Sequence, residues 1–308
     1  MKTKLFFLLF FSLLYGNVFG QTDSINFERS QSLLIDGGIQ DIVKGNIDKS
    51  ATGQLGYRGE NIFDKFEIRF TVVSSAKEIQ SVDVSDYSSF ILNPYTSQSG
   101  LDAFNVSYFR RSFNRKGGFV NYLRFLYDKE DINSQDFDNI INKYDLAKYK
   151  KWIYRFGYII EGNVSNFTWI NTNSIKRNGN IIAFNPYITY NHRVKFLDDV
   201  VDIITGVGPA VRILAGDVSN DSEYLKSIFG TNKRNYLGTQ FTAQAYIGGF
   251  YARANYAIFG GDTKINGLTG GQFFLSIGLQ ANIGNKTNKK KSIKDILRKD
   301  LNLKLIDK

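Results

Sequence analysis

A chain of 308 residues with no cysteine and one histidine excludes disulfide frameworks, thiol catalysis and any poly-histidine metal site. Its 26 Phe, 18 Tyr and 28 Gly against 3 Pro make a strand-forming composition. The net charge of +10 divides into +2 at the N-terminus, +6 in residues 285–308 and only +2 in the body between, so a nearly neutral body carries a basic tail and nucleic-acid binding is not what the basicity means.

Lys2 and Lys4 precede the apolar run Leu5 to Leu14, and Gly16, Asn17, Val18, Phe19 and Gly20 follow. This is the pattern of a secretory signal peptide over residues 1–20, with cleavage expected before Gln21. The run is too short for a membrane helix, which takes about 20 apolar residues. Without a cysteine to acylate, the signal is not of the lipoprotein kind. Residues 21–31 are expected to be an N-terminal periplasmic segment.

From there the chain reads as strands of period two. Leu33 to Val43 and Ala51 to Arg58 are the first two. In Asp64 to Val73, Phe66, Ile68, Phe70 and Val72 oppose Glu67, Arg69 and Thr71. Further on, Val201, Ile203, Val207, Val211 and Ile213 oppose Asp202, Gly206, Gly208, Ala210 and Arg212. Leu237, Thr239, Phe241, Ala243 and Ile247 oppose Gly238, Gln240, Thr242 and Gln244. In the last strand, Gln272 to Ile283, Phe273, Leu275, Ile277, Leu279 and Ala281 oppose Gln272, Ser276, Gly278, Gln280 and Asn282, with Phe274 on the polar side. Several runs reach ten residues, where strands of soluble proteins are nearer five or six and a tilted membrane strand needs about 9–11.

Connection lengths alternate. Tight connections are expected at Gly59–Asp64, Asn114–Gly118, Glu161–Ser165, Lys195–Asp198 and Gly248–Gly249. Long ones are expected at Ser74–Leu101, Asp128–Lys150, Asn173–Gly179, Asp217–Asn235 and Gly260–Gly270. With the signal peptide, the alternating strands and the aromatic strand ends (Trp152 to Tyr154, Trp169), this pattern resembles the Gram-negative outer-membrane β-barrel proteins. The resemblance is architectural and covers about Ser32 to Ile283. It implies an all-β, antiparallel transmembrane β-barrel of about twelve strands over residues 32–283. The barrel would sit in the cell outer membrane in contact with its lipid, both termini periplasmic. A basic tail at 284–308 follows, where many such barrels end on an aromatic residue. A soluble exported β-sandwich or barrel is the competing architecture.

Little in the chain carries catalysis. His192 shares strand parity with Phe184, Ile188 and Tyr190, the expected lipid face, which makes it a girdle residue. No GxSxG elbow is present. The acids Asp128, Glu130, Asp131, Asp136 and Asp138, and then Asp217, Asp221 and Glu223, read as solvated loop surface, and their spacing does not match a calcium loop. No catalytic residue, cofactor or metal is expected. The polar strand face is richer in charge: Arg69, Arg111, Arg124, Arg155, Arg193, Arg212 and Arg253 oppose only Asp36, Glu67 and Asp202. Such a lumen either forms an anion pathway or closes on itself by pairing. In the tail, Ile293, Leu297, Leu301 and Leu305 recur every four residues among Lys and Arg, which fits a basic amphipathic helix or a tail without fixed structure. That segment could meet an envelope partner or cell wall polymer. Three functions follow: a porin-like channel or transport-associated barrel for anionic solutes, a non-enzymatic structural or accessory barrel of a larger envelope assembly, or an outer-membrane hydrolase.

Overall fold

Period-two alternation becomes ten strands: β1 (Ser30–Ile42), β2 (Ser50–Glu60), β3 (Asp64–Ser74), β4 (Phe104–Arg110), β5 (Phe156–Ile170), β6 (Lys176–Phe196), β7 (Asp199–Gly216), β8 (Asn235–Ile247), β9 (Phe250–Phe259) and β10 (Gly270–Asn282). A computed structural model describes residues 30–42, 50–74, 104–170, 176–196, 199–217, 225–226, 231–261 and 269–283. These lie in the compact unit Arg29–Thr287. The signal peptide, the 21–29 segment and the tail from 284 lie outside the described residues.

Each strand pairs antiparallel with its chain neighbour, and β1 closes on β10 from Ser32 opposite Asn282 to Ile42 opposite Gln272. Closure leaves no unpaired sheet edge, the one β arrangement that satisfies every ladder group without water. The faces follow from parity. In β10, Gln272, Phe274, Ser276 and Gly278 are buried inward, while Leu275, Ile277 and Leu279 point out and are exposed. Leu33, Ile35, Leu55, Val207, Leu237, Phe241 and Phe250 extend this exposed apolar band around the barrel. Among the described residues no second protein layer covers it. Soluble monomers rarely leave a contiguous apolar surface of that extent in water, and lipid needs no covering layer.

The two ends differ. At one, Asn61 turns β2 into β3, its side-chain oxygen accepting from the amides of Phe63 at 2.8 Å and Asp64 at 2.7 Å. Residues 197–198 join β6 to β7. Gly248, at φ +55°, and Gly249 join β8 to β9 in a two-residue turn that favours glycine. The start of β1 and the end of β10 lie at this same end. Residues 43–49, 75–103, 171–175, 217–234 and 260–269 connect strands at the other.

The count is ten rather than twelve because the strand expected after Asn114–Gly118 is a helix and the two expected on either side of Glu161–Ser165 are one strand, β5. Asn114 is the N-cap of α1 (Arg115–Asp128), accepting from the Gly117 amide at 3.0 Å, so the stretch expected to be a tight turn is a helix start. Phe119, Val120, Leu123 and Leu126 then bury one helical face. Asn133 likewise caps α2 (Ser134–Lys143), with Asp136 in its first turn and Lys143 in its last, both favourable to the helix dipole. Two 3-10 turns, Ala147–Lys150 and Trp152–Arg155, lead back to β5. The expected turn at Glu161–Ser165 is mid-strand, where Glu161, Asn163 and Ser165 all face inward.

The apolar outer face makes a direct prediction. Ile277→Arg, on the outward side at the middle of β10, should lose roughly 2–4 kcal/mol of folding stability in a bilayer, while Ile277→Leu should be near neutral. The heat-modifiable fraction on an unboiled gel measures both, and equal folding of the two would contradict the lipid-facing assignment.

Candidate functional site

The barrel interior is a charged network packed to the exclusion of solvent. Along β3, Lys65, Glu67 and Arg69 alternate inward on one strand face. Glu67 Oε1 lies 2.7 Å from Arg58 Nε and 3.2 Å from Lys65 Nζ, and its Oε2 lies 2.6 Å from Arg69 Nη1. Arg58 stands directly opposite Glu67 in the β2–β3 register. Arg69 Nε also lies 3.0 Å from Asp36 Oδ2 on β1, and the same oxygen accepts from the Tyr251 hydroxyl of β9 at 2.6 Å. Across the lumen, Arg253 Nη1 pairs with Glu161 Oε2 at 3.3 Å, while Arg212 donates to Gln272 and lies 4.1 Å from the Phe259 ring centroid.

Room for this packing comes from glycine. A Cβ on Gly56 would sit 2.9 Å from Arg69 Cγ, and one on Gly278 would sit 2.6 Å from the Tyr251 hydroxyl and 2.7 Å from Asp36 Cβ. The network also crosses the β1–β10 seam: Arg58 donates to Gln280, and the Gln280 amide donates to Ser32 Oγ at 2.9 Å.

Nearer the tight-turn end the lining turns apolar. Phe109, Ile159, Tyr187 and Ile204 form a buried layer with Tyr246 against it. Lys65 bridges the two zones: its ammonium donates to the Tyr246 hydroxyl at 2.5 Å and lies 5.2 Å from the Phe109 ring centroid. Beyond this layer the helical insert meets the barrel mouth. Arg111 pairs with Glu60 at 3.1 Å and with Asp202 at 3.2 Å, and Asp202 also takes Arg193 at 3.2 Å. Arg193 donates to the Asn121 carbonyl of α1 at 2.5 Å. The Asn191 amide holds the Arg111 and Arg155 carbonyls at 2.8 and 3.0 Å. Lys195, near the end of β6, donates to Glu130 at 2.7 Å.

Of the residues expected to line the lumen, Glu67, Arg69, Arg212 and Arg253 do so at mid-barrel, and Asp202 and Arg193 do so at its tight-turn mouth. Arg111 follows β4 at that mouth. The expectation that Arg124 and Arg155 sit on strand faces is corrected: a capped helix replaces the strand expected at Arg124, and Arg155 ends the second 3-10 turn, one residue before β5 begins. Arg58 and Glu161 belong to the network and escaped the sequence reading. Arg58 had the right parity in a run already recognised, so parity alone could have found it. His192 keeps its outward parity, its ring centroid 5.9 Å from that of Tyr190. Of the acids expected on loop surface, Asp138 pairs with Lys150 at 3.3 Å and Glu130 with Lys195. Asp221 and Glu223 lie outside the described residues.

No protein-family model matches the chain, and no curated protein matches it. Solved structures similar to it include Ail, the attachment invasion locus protein of Yersinia pestis, in complex with the heparin analogue sucrose octasulfate, at TM-score 0.27 and 11% identity over 82% of this chain and 99% of that one. The Salmonella typhi OmpF complex with daunomycin gives 0.25 and 10% over 83% and 98%. The high-pH structure of Pseudomonas putida OprB gives 0.23 and 8% over 87% and 97%. Likeness at these scores carries nothing about function across. The chain's own geometry is what identifies its architecture: a closed antiparallel barrel, apolar outside and polar within, is the outer-membrane β-barrel architecture.

Removing one member of a buried ionic network strands its partners. Glu67→Ala should therefore cost roughly 3–5 kcal/mol, read as a lowered urea midpoint in lipid, and Arg58→Met with Glu67→Leu together should cost less than Glu67→Ala alone. At the insert, the hydrogen bond from Lys195 and its charge hold the Glu130 carboxyl below the usual carboxylate range. A depressed carboxylate stabilises above its unfolded pKa and loses that contribution as pH falls through its folded value. Lys195→Ala should return Glu130 to the ordinary range in an NMR titration.

Proposed function

We propose that this chain is an outer-membrane β-barrel with a sealed lumen, acting as a structural or accessory component of the cell envelope. One observation carries the reading. Arg58, Arg69 and Arg212 are each 1% exposed, Glu161 2%, Glu67 and Arg253 3%, and Asp36 5%. An aqueous pore would wet the side chains that line it, and here a ring of charges from six strands is dry, with an apolar layer and a helical insert beneath it. Of the arginines expected to attract anions, Arg69, Arg111, Arg193, Arg212 and Arg253 are instead held by carboxylates and amides of the same barrel. Closed, the barrel offers its ends: the helical insert at one, the long connections at the other. The basic tail is a docking segment for an envelope partner or cell wall polymer. Among the described residues His192 Nδ1 has no hydrogen-bond partner, so nothing at that nitrogen favours the hydrolase reading.

The anion-pathway reading survives in one form. Buried in the lumen are Arg58, Lys65, Arg69, Arg212 and Arg253 against Asp36, Glu67 and Glu161, an excess of positive charge among the described residues. An opened state would therefore favour anions. Purified protein in a planar bilayer should show no steady conductance, and a stable conductance step from the unmodified protein would overturn the sealed-lumen reading. Phe109→Ala with Tyr187→Ala, which hollows the apolar layer, should raise any leak, and its reversal potential in a salt gradient should be anion-selective.

A further inference from the structure

Where α1 meets the mouth ends of β6 and β7, the packing leaves a recess of about 60 Å3, space for on the order of four water molecules. Every side chain lining it is polar or charged. Arg124 and Asp128 come from α1, Arg155 from the second 3-10 turn, and His192 and Arg193 from β6. The charges are unequally committed. Asp202 is held between Arg193 and Arg111, so Arg193 is balanced. Among the described residues neither Arg124 nor Arg155 forms an ion pair. The carboxylate that acts on Arg124 is Asp128, one turn along the helix, while burial and the like charge of Arg155 both oppose its protonated form, lowering its pKa. Two guanidiniums thus share a small, partly desolvated space with one carboxylate outside any ion pair, Asp128, which leaves a surplus positive charge held there by structure. Asn191 fixes the carbonyl of Arg155 itself, and Arg193 fixes the α1 backbone at Asn121. His192 adds a buried, unpartnered Nδ1.

We propose that this recess binds one tetrahedral oxyanion, a phosphate group carried either by free phosphate or by a lipid headgroup. Two guanidinium forks offer more donors than a planar carboxylate has lone pairs to meet, and they match the several oxygens of a phosphate. The recess is large enough for one such group. The excess of Arg over Asp rejects a cation. A lipid source is within reach because His192 has outward parity, and Trp152 and Ile153, at 63% and 51% exposure, stand on the turn that carries Arg155.

The experiment titrates folded protein, in phosphate-free detergent, with inorganic phosphate in one arm and a soluble short-chain phosphatidic acid in the other, by calorimetry. Binding in either arm supports the site: phosphate binding assigns a free anion, and phosphatidic acid binding alone assigns a lipid headgroup. Arg124→Gln with Arg155→Gln should weaken binding at least tenfold. Asp128→Asn, which removes a negative charge from the wall, should tighten it severalfold, and Lys143→Gln on the exposed side of α2 should leave it unchanged. No binding in either arm overturns the proposal, as does an undiminished affinity in the double Arg variant. If that variant loses its heat-modifiable fold, Asp128→Asn decides, and an affinity equal to the unmodified protein's counts against the site.

Discussion

A carboxylate shut away from water must be met by cations placed for it, and Glu67 is the point at which this barrel satisfies that demand. Three cations reach it, Arg58, Lys65 and Arg69. Two of them lie two residues away on its own strand, where period two alone turns them the same way. The third is its direct cross-strand partner. Arg69 then needs a second anion and finds Asp36, which in turn holds Tyr251. Each link fixes the next, and the chain of demands fills the cross-section. The small residues follow from it as well, since Gly56 and Gly278 stand where any side chain would displace the arginine or the tyrosine.

Much of this is legible in the sequence because strand parity is local. Whether Ile277 or Ser276 faces out depends on neighbours within a few residues, and the outward sets of β3, β7, β8 and β10 emerge as read. Residues 115–128 failed for the opposite reason. Phe119, Tyr122 and Phe125 carry strand-like aromatics, and Asn114 with Gly117 and Gly118 looks like turn chemistry. The same Asn114 serves as a helix cap, and the apolar positions 119, 120, 123 and 126 have helical spacing. Glu161, Asn163 and Ser165 read as a connection because three inward polar residues in a row of alternation, with Gly162 between, resemble a loop until the lumen they face is known. Partner choice was beyond reach altogether: nothing in the sequence joins Arg253 to Glu161, 92 residues apart, until the register of the strands between them is set.

The helical insert changes what the short-turn end can be. Three of its strand connections are minimal, while the fourth, between β4 and β5, carries two helices and two 3-10 turns. It is held to the mouth largely by side chains that hold backbone: Asn191 and Arg193 reach carbonyls of the insert, with Arg111 and Asp202 knotted beneath them. Contacts of that kind specify position more than composition, so the insert can present its outer surface, including Trp152, Ile153 and the lysines around them, without altering how it is anchored.

The seam between β1 and β10 has a kinetic meaning. Tyr251 with Asp36, Arg58 with Gln280, and Gln280 with Ser32 join residues 215, 222 and 248 apart in sequence. Contacts so distant bring no reward until nearly the whole chain has lost its freedom. Until the last strands arrive, Asp36 lacks its tyrosine and Arg58 its glutamine, so a half-rolled sheet carries raw charge along the face that must turn inward. Partially assembled forms are thus penalised on the very surface that the finished barrel hides. The last strand thus bears on fidelity as well as closure: a one-residue slip where first and last strands meet would carry these side chains to the lipid side and forfeit every one of these contacts.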